Sequence, residues 1–387
     1  ELISPKRNRY LSEISDIIRD YNQKVLDDSD IALSIFSLEN SLNLLTEESI
    51  QILIKQKIQK LSEKLGKETV EMLRLYNSEL KPRLSELENQ RVDIISKIKK
   101  FALYSIIPII ISIFVSIQIE FPIPTIIIIG LSVLISWFKI SPLWKIYYKQ
   151  FKEQVIREII RFIDDGLSYS PSDKMSQNKF VKCGIFRTGI DRYRGDDYVQ
   201  GKIDSTHIEF SEIHAEYKTT TVDSKGRTQT HWHTIFKGLL FSADFNKNFN
   251  ATTYVLTDTA EKLFGFLGTK LQKMNKGRGD LVKLEDPEFE SEFAVYSGDQ
   301  IESRYILSPS LMERILSFKK QTKKGIQLSF VDSRLYVTVP YGKDLFEPKL
   351  FGDIVNFNHI QEYHNDLSLV LDLIQTLNLN TRIWTKE

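Results

Sequence analysis

The sequence predicts a multi-domain membrane protein: an N-terminal α-helical, coiled-coil region, a two-helix transmembrane hairpin, and a C-terminal α+β domain built largely on antiparallel sheet. Three observations carry this expectation. Residues 1–100 contain a single glycine, Gly66, and apolar side chains recur there at helical spacing. Residues 101–119 and 121–138 are two uncharged, strongly apolar runs parted only by Glu120, each close to the ~20 residues that a helix needs to cross a bilayer. From about Lys179 the texture turns to short alternating segments punctuated by Gly, Asp and Ser. The expected organisation is a cytoplasmic helical region over 1–100, the hairpin over 101–138, a basic juxtamembrane helix over 139–166, and a cytoplasmic α+β domain over 179–387.

In the first region, Leu11, Ile14, Ile17, Ile18 and Tyr21 share one helical face, and Ile50, Ile54, Ile58, Leu61 and Leu65 form a second stripe. Val70, Leu73, Tyr76, Leu80, Leu84 and Leu87 continue the same three-four alternation up to Ile94 and Ile98, a pattern that fits long helices, in a bundle or a coiled coil. Pro82 should either kink such a helix or stand at its start.

The hairpin has Pro122 and Pro124 where its second helix would begin, a place where a missing amide hydrogen costs little. Lys97, Lys99 and Lys100 precede it and Lys139, Lys145 and Lys149 follow it, whereas the tip offers only Glu120. Positive charge is retained on the cytoplasmic side, so both ends should face the cytoplasm. Neither run contains an ionisable residue, which suits a passive anchor better than a pore or transporter. Ser141 and Pro142 are expected to end the hairpin. A helix over 143–162 should follow, in which Lys139, Lys145, Lys149, Lys152, Arg157 and Arg161 outnumber Glu153 and Glu158. Such a basic amphipathic helix can lie on anionic lipid or pack as a linker.

In the last region the spacing predicts a strand over 180–186, turns at Gly195–Asp196–Asp197 and Gly201, and a hairpin of 207–217 with 232–241 around a four-residue loop at 223–226. It further predicts a strand over 254–256 and a helix over 259–274. Strands over 293–296 and 304–307 should flank a turn at Ser297–Gly298–Asp299. Ser308 with Pro309 should open a helix running toward Gly325. A second hairpin should fold around Asp332–Ser333, and a closing helix should place Ile360, Tyr363, Leu367 and Leu371 on one face.

The strings GDDYVQGKIDSTHIEFSEIHAEY, IFKGLLFSADFNK, LVKLEDPEFESEFAVYSGDQIESRYILSPSLMERI and LSFVDSRLYVTVPYGKDLFEP resemble the bacterial family catalogued as domain of unknown function 3137, over roughly residues 135–375. The resemblance implies two membrane segments before a cytoplasmic α+β domain, a place in the bacterial cytoplasmic (inner) membrane, and a membrane complex that includes LemA-like helical proteins. It implies no reaction, cofactor or catalytic residue.

The chemistry legible in the residues is sparse. The 52 basic and 51 acidic side chains balance, so no overall field favours nucleic acid. The single cysteine, Cys183, excludes an internal disulfide framework and fits a buried, inert thiol. No GxSxG, Walker A, GxGxxG or HExxH pattern occurs. If the loop is 223–226, Glu216 opposes His233 and Lys218 opposes His231, and His214, Glu216, His231 and His233 point to one side of the ribbon, a set able to hold zinc. A polar exposed face is the competing reading, because a one-residue slip dissolves the set. Glu285, Asp286, Glu288, Glu290 and Glu292 should form a solvated face, with Arg304 as an ion-pair partner. No catalytic residue and no cofactor is assigned. The leading functional expectation is a non-enzymatic interaction or scaffold protein on the bilayer, assembling with itself or with other membrane proteins. A membrane-tethered, metal-dependent enzyme is the alternative.

Overall fold

The computed structural model describes residues 67–223, 226–245, 247–257 and 277–376. The stripes expected over 10–25 and 50–65 and the helix expected over 259–274 lie outside these residues. The chain divides into two compact units, Glu1–Glu158 with Pro348–His364 and Ile159–Glu347 with Asn365–Glu387.

The first unit is built on two long helices. Helix α1 (Lys67–Leu75) passes through a π-helical turn (Tyr76–Leu80) into α2 (Lys81–Gln118). Pro82 explains the turn. Lys81 N–H bonds back five residues to Tyr76 O, so the widened turn takes up the misfit that a residue without an amide hydrogen creates. Leu73, Tyr76, Leu80, Leu84, Leu87 and Ile94 are buried, as their spacing predicts. Helix α3 (Ile123–Phe151) returns antiparallel. Contrary to expectation, Ser141 and Pro142 do not end it. Pro142 lies inside α3, and the helix runs through a second π turn (Lys152–Ile156) into α4 (Arg157–Ile163). Arg83 ties the two rods, reaching Gln154 O at 3.2 Å and Glu158 at 3.0 Å. Residues 348–364 pack on them: Arg91 donates to Leu350 O at 2.7 Å, and Tyr76 and Phe357 meet edge to face at 5.3 Å.

The second unit carries, among the described residues, a nine-stranded antiparallel sheet in the order β1-β2-β3-β4-β9-β8-β5-β7-β6. Its strands are β1 (Leu167–Ser170), β2 (Arg192–Ile203), β3 (Thr206–Val222), β4 (Thr228–Asp244), β5 (Thr253–Thr257), β6 (Asp280–Val282), β7 (Phe293–Ser297), β8 (Gln327–Val331) and β9 (Arg334–Pro340). One hydrophobic cluster gathers Phe180, Cys183, Ile213, Phe236, Leu240, Tyr254 and Tyr336. The β8–β9 hairpin turns at Asp332–Ser333, with Asp332 left-handed at φ 55°. The last helix, Phe357–Thr376, buries Ile360, Tyr363, Leu367 and Leu371.

Two strand expectations fail for one reason, a local cap that outweighs the strand pattern, while the acidic run at 285–292 is the solvated face expected of it. The alternation at 180–186 falls on a helix, Gln177–Lys182, whose Ser176 side chain accepts from Lys179 N–H. The strand expected at 304–307 is the end of helix Gln300–Ile306, opened by Asp299 accepting from Ile301 and Glu302 N–H. The acidic run at 285–292 is a helix, Pro287–Glu292, capped by Asp286. Its acids are engaged: Glu288 with Lys320, Glu292 with Lys319, and Glu290 with Leu284 N–H. Arg304 takes none of them, donating instead to Lys283 O and Gln300. The cap expected at Ser308 is present and opens helix Pro309–Thr322, which ends on left-handed Lys323, near Gly325 as expected. Gly195–Asp196–Asp197 and Gly201 do not interrupt the chain but lie inside β2, which carries a bulge between Asp196 and Val199. Gly195 is required there, since a Cβ would sit 2.1 Å from Glu212 O.

Candidate functional site

Two places in the molecule project away from its buried cores. The first is the tip half of the α2–α3 pair. Both helices are long and apolar enough to cross a membrane, and almost none of their most apolar stretches is buried. Ile107, Ile117, Val133 and Trp137 are each about two-thirds exposed. The hydroxyls along this stretch bond inward: Ser105 to Phe101 O, Ser112 to Ile109 O and Ser136 to Ser132 O, each at 2.8 Å. Ser116 and Thr125 join across the turn at 2.8 Å. These hydroxyls are therefore satisfied without water. A groove of about 620 Å³ runs between the helices, edged by Ser105, Ser132, Ser136, Trp137 and Trp144.

The six basic residues expected to face lipid do not form one exposed stripe. Lys139, Lys145, Lys149 and Arg161 are exposed, Lys152 is buried, and Arg157 is paired with Glu153. The cause is packing: Phe151, Val155, Ile156, Ile159 and Ile160 are all buried, so this helical stretch is core on most of its circumference. Tyr147 is also fully buried there, and burial raises its phenol well above the usual range.

The second place is the β3–β4 ribbon. Its strands pair six residues beyond the sheet, from Tyr217↔His233 to Val222↔Thr228, so the loop is 223–227 rather than 223–226. Asp223 closes the tip, accepting from Arg227 N–H and pairing with its guanidinium. The longer loop shifts the register by one, and a bulge at Ile235 separates Ala215↔Phe236 from Glu216↔Thr234. The expected metal set is thereby dismantled. His214 and Glu216 stay on one face, whereas His231 and His233 oppose Thr219 and Tyr217 on the other. His233 stacks on Tyr217 at 4.8 Å and bonds Thr219 at 2.8 Å.

Glu216 belongs to a cationic cluster instead, with Arg194 at 2.7 Å and Arg192 at 3.3 Å. Desolvation opposes ionisation of Glu216, yet Arg194, His214 and Arg192 hold its carboxyl below the ordinary range. Partial burial, with Arg194 and Lys237 nearby, pushes His214 below the usual imidazole value although Glu216 pulls the other way. Two guanidiniums on this carboxylate would repel a metal ion.

The structure brings together a trio that the sequence did not single out: Asp196, Asp197 and Glu347, whose carboxylates lie within 4.8 Å of one another. Asp197 is buried and left-handed at φ 56°, and the Tyr169 hydroxyl donates to it. The doublet after Gly195 looked like a turn, and Glu347 arrives from 150 residues away, so no local pattern could join them. Oxygen-only sets of this kind suit hard divalent cations, and here one oxygen already serves the tyrosine. Cys183 is buried with its Sγ 2.9 Å from Phe180 O, and burial pushes its thiol up to about 11. The thiol is buried, as expected.

Residues 234–379 match the family described as "Protein of unknown function (DUF3137)". This agrees with the resemblance carried by the sequence strings, though the match begins about a hundred residues later. No curated protein matches the chain. Among solved structures, the crystal structure of the mycobacterial trehalose monomycolate transport factor A, TtfA, is similar at 9% identity over 57% of this chain and 94% of that chain, with a TM-score of 0.28. That likeness is too slight to transfer a fold or a function.

Proposed function

We propose that this chain is a membrane-anchored, non-enzymatic interaction protein of the cytoplasmic membrane. The α2–α3 hairpin crosses the bilayer twice and holds the helical and sheet units on the cytoplasmic side, where they bind other membrane proteins or further copies of the chain. One observation carries the reading: isoleucine, valine, phenylalanine and tryptophan side chains are exposed around both helices of the 101–138 hairpin, a surface that water disfavours and hydrocarbon accepts. Lys99, Lys100, Lys139, Lys145 and Lys149, exposed at the open end, supply the positive-inside signal, against Glu120 at the tip. These ammonium groups are also the ones positioned for anionic headgroups.

Alkaline carbonate extraction of membranes tests the anchor. The chain should stay with the bilayer, and release into the soluble fraction overturns the reading. Cys183 is too buried to report topology, so an exposed reporter such as Thr220→Cys is needed. A membrane-impermeant maleimide should label it only after the membrane is opened. The interaction role predicts partners or self-assembly after gentle detergent extraction, and a strict monomer without partners refutes it.

A further inference from the structure

We infer that the outer edge of β4 along Thr228–Thr234 is a strand-addition surface that pairs antiparallel with the same edge of a second copy of this chain. This deepens the interaction role proposed above and rests on it. In the sheet, β4 is flanked by β3 on one side and by β9 on the other, but β9 begins only at Gly238↔Pro340. Tyr341 N–H bonds Lys237 O, and beyond that point the β4 edge has no neighbouring strand among the described residues. Side chains 228–234 are all exposed. A free edge of seven residues is about 24 Å of backbone in which alternate amides and carbonyls face outward.

The two edges of the ribbon differ. On the β3 side, Asp191 accepts Lys218 N–H at 2.8 Å, and Lys218 adds a charge, the usual guards of a strand edge. On the β4 side, TQTHWHT contains no Pro, Lys, Arg, Asp or Glu, and the bulge comes only after it, at Ile235. A second copy laid antiparallel therefore meets no like charge, and pairing about His231 sets Thr228 against Thr234 and Thr230 against Trp232, combinations that favour sheets. A foreign strand would have no such symmetry to exploit.

The strand is also held ready. Arg192 lies 3.5 Å over the Trp232 ring, and Tyr217 with Thr219 fixes His233. Little ordering remains to be lost on pairing. A bare two-stranded ribbon is marginal in water, and pairing would turn it into a four-stranded one.

The test is a cysteine scan on the full chain in detergent or nanodiscs. Single cysteines at 229, 230, 231, 232 and 233 are oxidised and compared with Thr220→Cys and Thr221→Cys on the guarded strand, while buried Cys183 stays in place. Disulfide-linked dimers should peak at one or two adjacent β4 positions, fall away on both sides, and be weak at 220 and 221. His231→Lys, which in this register sets lysine directly against lysine across the seam, should weaken the dimer about two- to fivefold, with the circular dichroism of the protomer unchanged. A membrane-bound oligomer whose β4 cysteines never cross-link overturns the ribbon seam and spares the interaction role. A membrane-bound monomer overturns the seam, and one that also carries no partner protein overturns both.

Discussion

The α2–α3 hairpin and the β3–β4 ribbon both project unsatisfied surface, but of opposite kinds. In the hairpin the backbone bonds internally, the Ser105, Ser112 and Ser136 hydroxyls bond preceding carbonyls, and the apolar side chains are exposed. In the ribbon most side chains are threonine, glutamine, histidine and lysine, content in water, and the backbone edge of β4 is what lacks a neighbour among the described residues. The contrast shows how exposure selects a partner. Bare side chains of the first kind call for hydrocarbon, and a bare backbone edge calls for another strand.

The sheet beneath the ribbon should depend on its core far more than on either projection. Phe210→Ala, at a fully buried position of β3, is expected to cost about 3–5 kcal/mol. Denaturant unfolding followed by near-ultraviolet circular dichroism would reveal this, while membrane retention stays unchanged. Next in size, Ile127→Arg at the middle of the second apolar run should disfavour insertion by about 2.5–3.5 kcal/mol, visible as carbonate-extractable protein. The same charge at Thr220 in the ribbon should change stability by no more than ~0.5 kcal/mol. If the two arginines behave alike, the contrast drawn here is broken.

Gly238 marks where β4 leaves the ribbon and enters the sheet. Its φ is +152°, and a Cβ there would lie 2.2 Å from Val339 O. Gly238→Ala should therefore cost about 1–3 kcal/mol, read as a lower unfolding midpoint. The smallest effect is one of pH. Because the folded state holds His214 below its ordinary value, the unfolded chain binds the extra proton first, starting near pH ~6.5. Stability should decline as pH falls through that value and be free of this penalty above it. The unfolding midpoint of His214→Gln should lose part of that slope, and an unchanged slope would remove His214 as its source.

Much of the architecture was legible because its signals are long. The stripe from Leu73 to Ile94, the runs on either side of Glu120, and the hairpin at Asp332–Ser333 repeat one message over many residues. The misses were short and local. Ser176 and Asp299 each accept backbone amides and start a helical turn where alternation predicted extended chain. Pro142 was expected to stop a helix, yet α3 continues past it. The candidate sites were harder still. The histidine set depended on a loop count wrong by one, and Asp196, Asp197 and Glu347 meet only through the fold.

The sequence alone determined that residues 101–138 form two uncharged helices long and apolar enough to cross a membrane, because that property rests on composition over about twenty residues. It also determined that an antiparallel sheet follows. Only the tertiary structure decided which residues of β3 and β4 face each other, which lysines of the 139–161 stretch remain exposed, and that the β4 edge of the ribbon has no neighbour among the described residues. Those outcomes depend on register and on packing between distant segments, and a one-residue shift reverses the face of every side chain in a strand.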